Sequence, residues 1–162
     1  MKKYELTDET IEVYGTALHR IKALKDFGNV KKGELGGYVE SERNLSQEGN
    51  CWVYSNARVY SNARVYGNAW VYGNALVCSD EDYAYAHGFG SVNRTTTFFR
   101  LKDGGVGVRC GCFYGTLAQF RDKIRETHGE TKKAQEYLML ADLMELRFEE
   151  DENEVGNRKY VE

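Results

Sequence analysis

The chain has no proline in its 162 residues. Proline-rich linkers and polyproline recognition segments are therefore excluded. Its turns must be made by glycine, of which there are 17, and by asparagine and serine. Apolar runs of the roughly 18 residues needed to span a bilayer are also missing. The opening MKKYELTDET is too polar for a secretory leader. We expect a cytoplasmic protein that makes no membrane contact. Without a leader, its four cysteines are expected to be reduced. Cys110 and Cys112 form C-x-C, but no further ligand pair stands at zinc spacing, so we expect small buried thiols and no metal.

A strong charge bias is lacking too. Lys and Arg number 22 and Asp and Glu 25, a net charge of −3. A globally basic nucleic-acid binder is disfavoured, although a local basic site is not. Residues 91–148 hold 10 basic and 7 acidic side chains, whereas residues 149–162 hold 2 and 6. The acidic tail is expected to fray. P-loop, G-x-S-x-G, H-E-x-x-H and dinucleotide fingerprints are absent from the sequence. We expect no cofactor.

What the sequence does have is a repeat. CWVYSNARVYSNARVYGNAWVYGNALV, residues 51–77, places Val53, Val59, Val65, Val71 and Val77 six apart. Ala57, Ala63, Ala69 and Ala75 follow the same period, as do Asn56, Asn62, Asn68 and Asn74. A period of six fits neither an α-helix nor a plain hairpin strand. It fits a parallel coil in which each hexad makes one short strand and one corner. Valine points inward from the strand centre. Alanine fits the crowded corner, and Asn with Gly or Ser takes the bend, where positive φ is cheap. Three hexads close one turn, so residues 18 apart stack at about 4.8 Å.

The residues flanking each valine must point away from the coil axis. Trp70 then lies over Trp52 and Tyr72 over Tyr54, giving one aromatic face. The other two faces carry Arg58 with Tyr60 and Arg64 with Tyr66. GGYVESERNLSQEGN before the repeat and SDEDYAYAHGFG after it read as degenerate coils. We expect a mainly β protein built on a short left-handed parallel β-helix of about three coils. Its expected parts are a β cap over residues 1–35, the hexapeptide coil over 36–90, a C-terminal hairpin with two helices over 91–148, and the acidic tail over 149–162. The cap is expected to hold two or three strands, with turns at Asp8–Thr10 and Gly15–Thr16. The hairpin turns at Asp103–Gly105. The first helix starts at Thr116, with Gln119 completing a capping box, and ends by Gly129. The second spans about Lys132 to Phe148 and is apolar over a wide arc.

ALHRIKALKDFGNVKKGELGGYVESERNLSQEGNCWVY, residues 17–54, resembles a group of bacterial and prophage hexapeptide-repeat proteins of acyltransferase-like or polymer-forming type. NRTTTFFRLKDGGVGVRCGCFYGTLAQFRDKIRETHG, residues 93–129, is similar to a C-terminal module of phage-encoded proteins. Acyltransferases of the hexapeptide fold are homotrimers with sites between subunits, so the resemblance implies a homotrimer. Such an enzyme needs a histidine as general base, and His19, His87 and His128 are the candidates, with His87 best placed.

Two ligand-type features remain. Trp52, Tyr54, Trp70 and Tyr72 are able to stack a flat ligand or to form an interface. Arg94, Thr95, Thr97, Arg100 and Arg109 lie on the hairpin arms ahead of the helix N-terminus at Thr116, an anion-binding arrangement or ordinary solvated charge. With no catalytic constellation and a phage-type resemblance, we expect a non-enzymatic binding protein. Its expected role is to counter host defence by sequestering a nucleotide immune signal at or near subunit interfaces. Trp52, Tyr54, Trp70, Tyr72, Arg94, Thr95, Arg100 and Arg109 would hold that ligand. The alternatives are a protein that binds and inhibits a host defence complex of CRISPR-effector type, and an acyltransferase.

Overall fold

The computed structural model describes residues 1–90 and 94–149; the expected acidic tail lies outside the described residues from 150 onward. The protein is mainly β, with several sheets and two helices.

The repeat forms the centre. Strands β4 (Trp52–Val53) and β6 (Trp70–Val71) pair in parallel, with Trp52 opposite Trp70 and Val53 opposite Val71. Strands β5 (Arg58–Val59) and β7 (Leu76–Val77) pair the same way, again 18 residues apart. Rung bonds such as Tyr54 N to Val71 O at 2.8 Å and Arg58 N to Ala75 O at 3.0 Å join the layers. All five valines and all four alanines of the repeat are buried. Each valine contributes roughly 1.5–3 kcal/mol by burial. The corners explain the Gly/Ser position: Ser55, Ser61, Gly67 and Gly73 have φ of 54°, 56°, 66° and 64°. Only glycine adopts that conformation freely, and serine bears a modest strain there.

The first turn is longer. Tyr38 and Val39 on β3 (Leu35–Val39) pair in parallel with Arg58 and Val59, and Leu45 bridges Val65, all 20 residues apart. Since Trp52 and Trp70 are 18 apart, two extra residues must fall between Leu45 and Trp52. Gln47, in this stretch, clasps the N-terminal strand. Its Oε1 accepts from Lys3 N at 2.8 Å and Tyr4 N at 3.2 Å, and its Nε2 donates to Tyr4 O at 3.2 Å.

That strand is β1 (Tyr4–Val13), antiparallel to β2 (Thr16–Ala23), and β2 is antiparallel to β3. The expected turn at Asp8–Thr10 is instead a bulge inside β1, because the register shifts between Leu6 and Thr10. Thr7 Oγ1 donates to Arg20 O at 2.8 Å, and Arg20 Nε donates to Glu9 Oε2 at 2.6 Å, so both ends of the bulge are tied to β2. The cap lies over Trp52, whose ring meets Tyr4 and Phe27 edge-on at 6.1 and 5.2 Å.

Residues 83–89 differ from the expected last coil. They form β8 (Tyr83–Phe89), antiparallel to β9 (Arg94–Arg100), and the sheet continues through β10 (Val106–Cys110) to β11 (Phe113–Thr116). A short 3-10 turn at Asp80–Asp82, capped by Ser79, ends the coil. Buried Asp82 accepts from Cys78 N at 3.0 Å and from Arg100 Nε at 3.2 Å, which ties the turn to β9. Tyr83–Ala86 also lacks the hexad chemistry and alternates as an antiparallel strand does.

Helices α1 (Leu117–His128) and α2 (Lys132–Arg147) cover one side of this sheet. Thr116 and Gln119 form the expected capping box. Phe98 packs under the helices while its neighbour Phe99 packs on the coil, as strand alternation requires. No helix among the described residues is long and apolar enough to cross a membrane.

Candidate functional site

Trp70 stands on the second layer of the aromatic face. Its backbone N donates to Thr97 Oγ1 at 3.0 Å and its indole N–H to Asn50 O at 3.3 Å. The ring is thereby fixed while its edge stays half-buried. Strand β9 passes beside it and brings Arg94 and Thr95. With Gly28, Asn50, Asn68 and Gly111 these residues line a cleft of about 280 Å³. The cleft therefore has a fixed aromatic wall, one guanidinium, a hydroxyl and two corner amides. Arg94 is exposed. A flat ring carrying an anionic group matches that chemistry.

Arg109, on β10, is a second cation against the Trp70 ring, outside the lining of the cleft. Its guanidinium lies 5.5 Å from the Trp70 ring centre and 4.8 Å from that of Tyr72. Its Nε is buried with no hydrogen-bond partner among the described residues. Thr95 Oγ1 is 2.8 Å from Nδ1 of His87, which places that exposed histidine next to the cleft.

The other expected site residues are elsewhere. Trp52 has the same repeat position as Trp70, yet it is fully buried beneath the N-terminal cap and presents no ligand face. The Tyr54 and Tyr72 rings meet at a tilt of 40° with centroids 5.0 Å apart, and Tyr72 continues to Tyr114 of β11, also at 5.0 Å. They join the coil to the C-terminal sheet. Burial pushes the Tyr54 phenol up to about 12, with the Arg109 charge opposing the shift. Arg100 is buried and engaged by Asp82, by Phe148 O at 3.3 Å and by the Phe148 ring. These contacts tie β9 to the end of the coil and to Phe148. Thus Trp70, Arg94 and Thr95 come together on one cleft with Arg109 against the Trp70 ring, while Trp52, Tyr54, Tyr72 and Arg100 lie outside its lining.

Sequence reasoning missed Gly28, Asn50, Asn68 and Gly111. The two asparagines were legible as stacked corner residues 18 apart. Nothing in the sequence joined Gly111 to Arg94, although a Cβ at Gly111 would collide with the Arg94 guanidinium.

The remaining histidines are set apart from the cleft. His19 Nδ1 lies 3.0 Å from Thr7 O in the cap, and His128 faces the Tyr137 ring at 6.0 Å. Among the described residues no group of three His, Cys, Asp or Glu side chains has metal-binding geometry.

The fold and cleft define a mainly β protein whose stacked hexads present an aromatic and cationic face. No family model matches the chain. It is similar to a protein of Escherichia coli K12 named as the uncharacterized acetyltransferase YdcK, with 40% identity over 62 residues. That match covers 33% of this chain and 19% of the relative's length.

Proposed function

We propose that the protein acts by binding, and that the Trp70 cleft takes a nucleotide-class ligand. The observation that carries this reading is the convergence of Trp70, Arg94 and Thr95 on one cleft, with Arg109 against the same aromatic wall. Trp70 would stack the base and Arg94 would take the phosphate, while Asn50 and Asn68 offer amides to the ribose or base edge. The phage-type resemblance makes a nucleotide signal of host defence the first ligand class to test, and sequestration the role. The parallel 18-residue register supports reading the coil as a left-handed β-helix. Such coils assemble as homotrimers in the acyltransferases of this fold, and a homotrimer is the assembly proposed for this protein.

Acyl transfer is the second reading, favoured by the match to a protein named as an acetyltransferase and by His87 beside the cleft. Calorimetric titration with cyclic and linear nucleotides, and an acetyl-CoA turnover assay, separate the two. Binding predicts that Arg94→Ala and Trp70→Ala lose nucleotide affinity while the fold is kept, with no turnover by the wild type. Turnover abolished by His87→Ala would overturn binding in favour of catalysis.

A further inference from the structure

On the coil face beyond the next corner lies a groove of about 330 Å³ that shares no residue with the Trp70 cleft. It is lined by Tyr38, Asn56, Arg58, Asn74, Leu76 and Lys102, with Ile11 and Ala75 completing the wall. The fold builds it from three independent parts. Register stacks Tyr38, Arg58 and Leu76 in successive layers. The same repeat sets Asn56 and Asn74 18 residues apart at the corner. The β9–β10 turn then docks on that corner: Ala75 bridges Leu101, and Lys102 N donates to Asn74 O at 2.9 Å. Lys102 is thereby brought to the groove from a distant part of the sequence.

The charge there is unbalanced. None of the lining residues is acidic. Glu9, on the cap side, is engaged by Arg20 Nε at 2.6 Å and by the Tyr38 hydroxyl at 3.0 Å. Asp103, beside Lys102, accepts from Gly105 N at 2.9 Å and so is engaged by its own turn. Neither Arg58 nor Lys102 forms an ion pair among the described residues.

We infer that this groove is a binding site for the phosphate monoester of a small polyol. The donor count decides the class. A guanidinium offers five N–H groups, an ammonium three and each amide two, more than one carboxylate can accept. A phosphate dianion presents three strong acceptor oxygens to such a set. The Asn74 amide oxygen accepts only from donors, which polyol hydroxyls supply, while that of Asn56 already accepts from the Arg20 guanidinium at 3.5 Å and leaves its NH2 to donate. Leu76, Ile11 and Ala75 give the carbon skeleton an apolar floor. The volume is at the small end for ligand pockets, which suits a ligand the size of glycerol 3-phosphate.

Titration of the 162-residue chain at physiological salt, followed by calorimetry and amide chemical shifts, tests this with four probes: glycerol 3-phosphate, glycerol, lactate and inorganic phosphate. The expected result is saturable glycerol 3-phosphate binding that shifts amides at residues 56–58, 74–76 and 102. Glycerol and lactate should bind at least about tenfold more weakly, the factor that one charge-assisted contact supplies. Arg58→Gln and Lys102→Gln should each weaken glycerol 3-phosphate by about tenfold or more with the melting temperature unchanged, since both side chains reach solvent. Equal binding of glycerol or lactate, or undiminished binding in both variants, would overturn the site. So would no shift at those amides with any probe, or binding of inorganic phosphate as tight as that of the ester.

Discussion

Gly37→Ala tests the first layer of the coil. Gly37 lies on β3, one residue before Tyr38, whose N–H donates to Ala57 O at 2.9 Å. A Cβ at Gly37 would sit 2.4 Å from that same oxygen and 2.7 Å from Val53 Cγ1, against an ordinary contact of 3.4–4 Å. The layers would have to separate by about 1 Å. Both obstacles belong to buried parts of the coil, so neither can swing aside. Gly37 is not among the positive-φ glycines, so alanine adds no backbone strain of its own. Overpacking of this kind costs about 1–3 kcal/mol, and loss of the rung bond adds roughly 1 kcal/mol. The expected destabilisation is about 2–4 kcal/mol. With a urea slope of about 2 kcal/mol/M, the unfolding midpoint should fall by about 1–2 M at unchanged slope. Far-UV circular dichroism against urea reads this directly. A midpoint within about 0.2 M of wild type, or below roughly 0.5 kcal/mol of change, would refute the placement of β3 as a coil layer.

Three further outcomes are expected. Trp52→Ala should cost about 3–5 kcal/mol in urea unfolding, because it empties a fully buried ring site under Tyr4 and Phe27; a loss of ligand affinity with unchanged stability would contradict its placement. Val65→Asp puts an unpaired charge inside the coil and should abolish the cooperative unfolding transition, whereas a soluble protein with wild-type melting would refute the inward valine. Burial raises the phenols of Tyr4, Tyr83 and Tyr137 and pushes Tyr54 up to about 12. Their folded values lie above the unfolded value of about 10, so the stability they hold is whole below that pH and is lost as pH rises toward 12 and beyond. Circular dichroism and phenolate absorbance should therefore change together on alkaline titration; a full set of phenols titrating near 10 in a still-folded protein would contradict this.

The parts of the fold set by local chemistry were legible. The valine, alanine and Gly/Ser positions each state one requirement of the coil, and four hexads repeat all three. Thr116 with Gln119 marked a helix start because both halves of the capping box lie within four residues. What was not legible depends on contacts far apart in sequence. Trp52 and Trp70 are indistinguishable in the repeat, yet Tyr4 and Phe27 cover one and leave the other to a cleft. Arg94 and Arg100 look alike on one strand, six residues apart. Asp82, at the end of the coil, takes Arg100 into the interior and leaves Arg94 outside. The departure of β8 from the stack was hinted at by the alternation in Tyr83–Ala86, while the Asp82–Arg100 contact that ties the turn to β9 was not legible.

Native mass spectrometry of the 162-residue chain with a panel of cyclic and linear nucleotides tests the proposed binding function most directly. We expect a trimer whose mass increases by bound nucleotide, and an Arg94→Ala protein that keeps the trimer mass and loses the increase. A protein that takes up none of the panel, or an Arg94→Ala protein that binds as the wild type does, would contradict it.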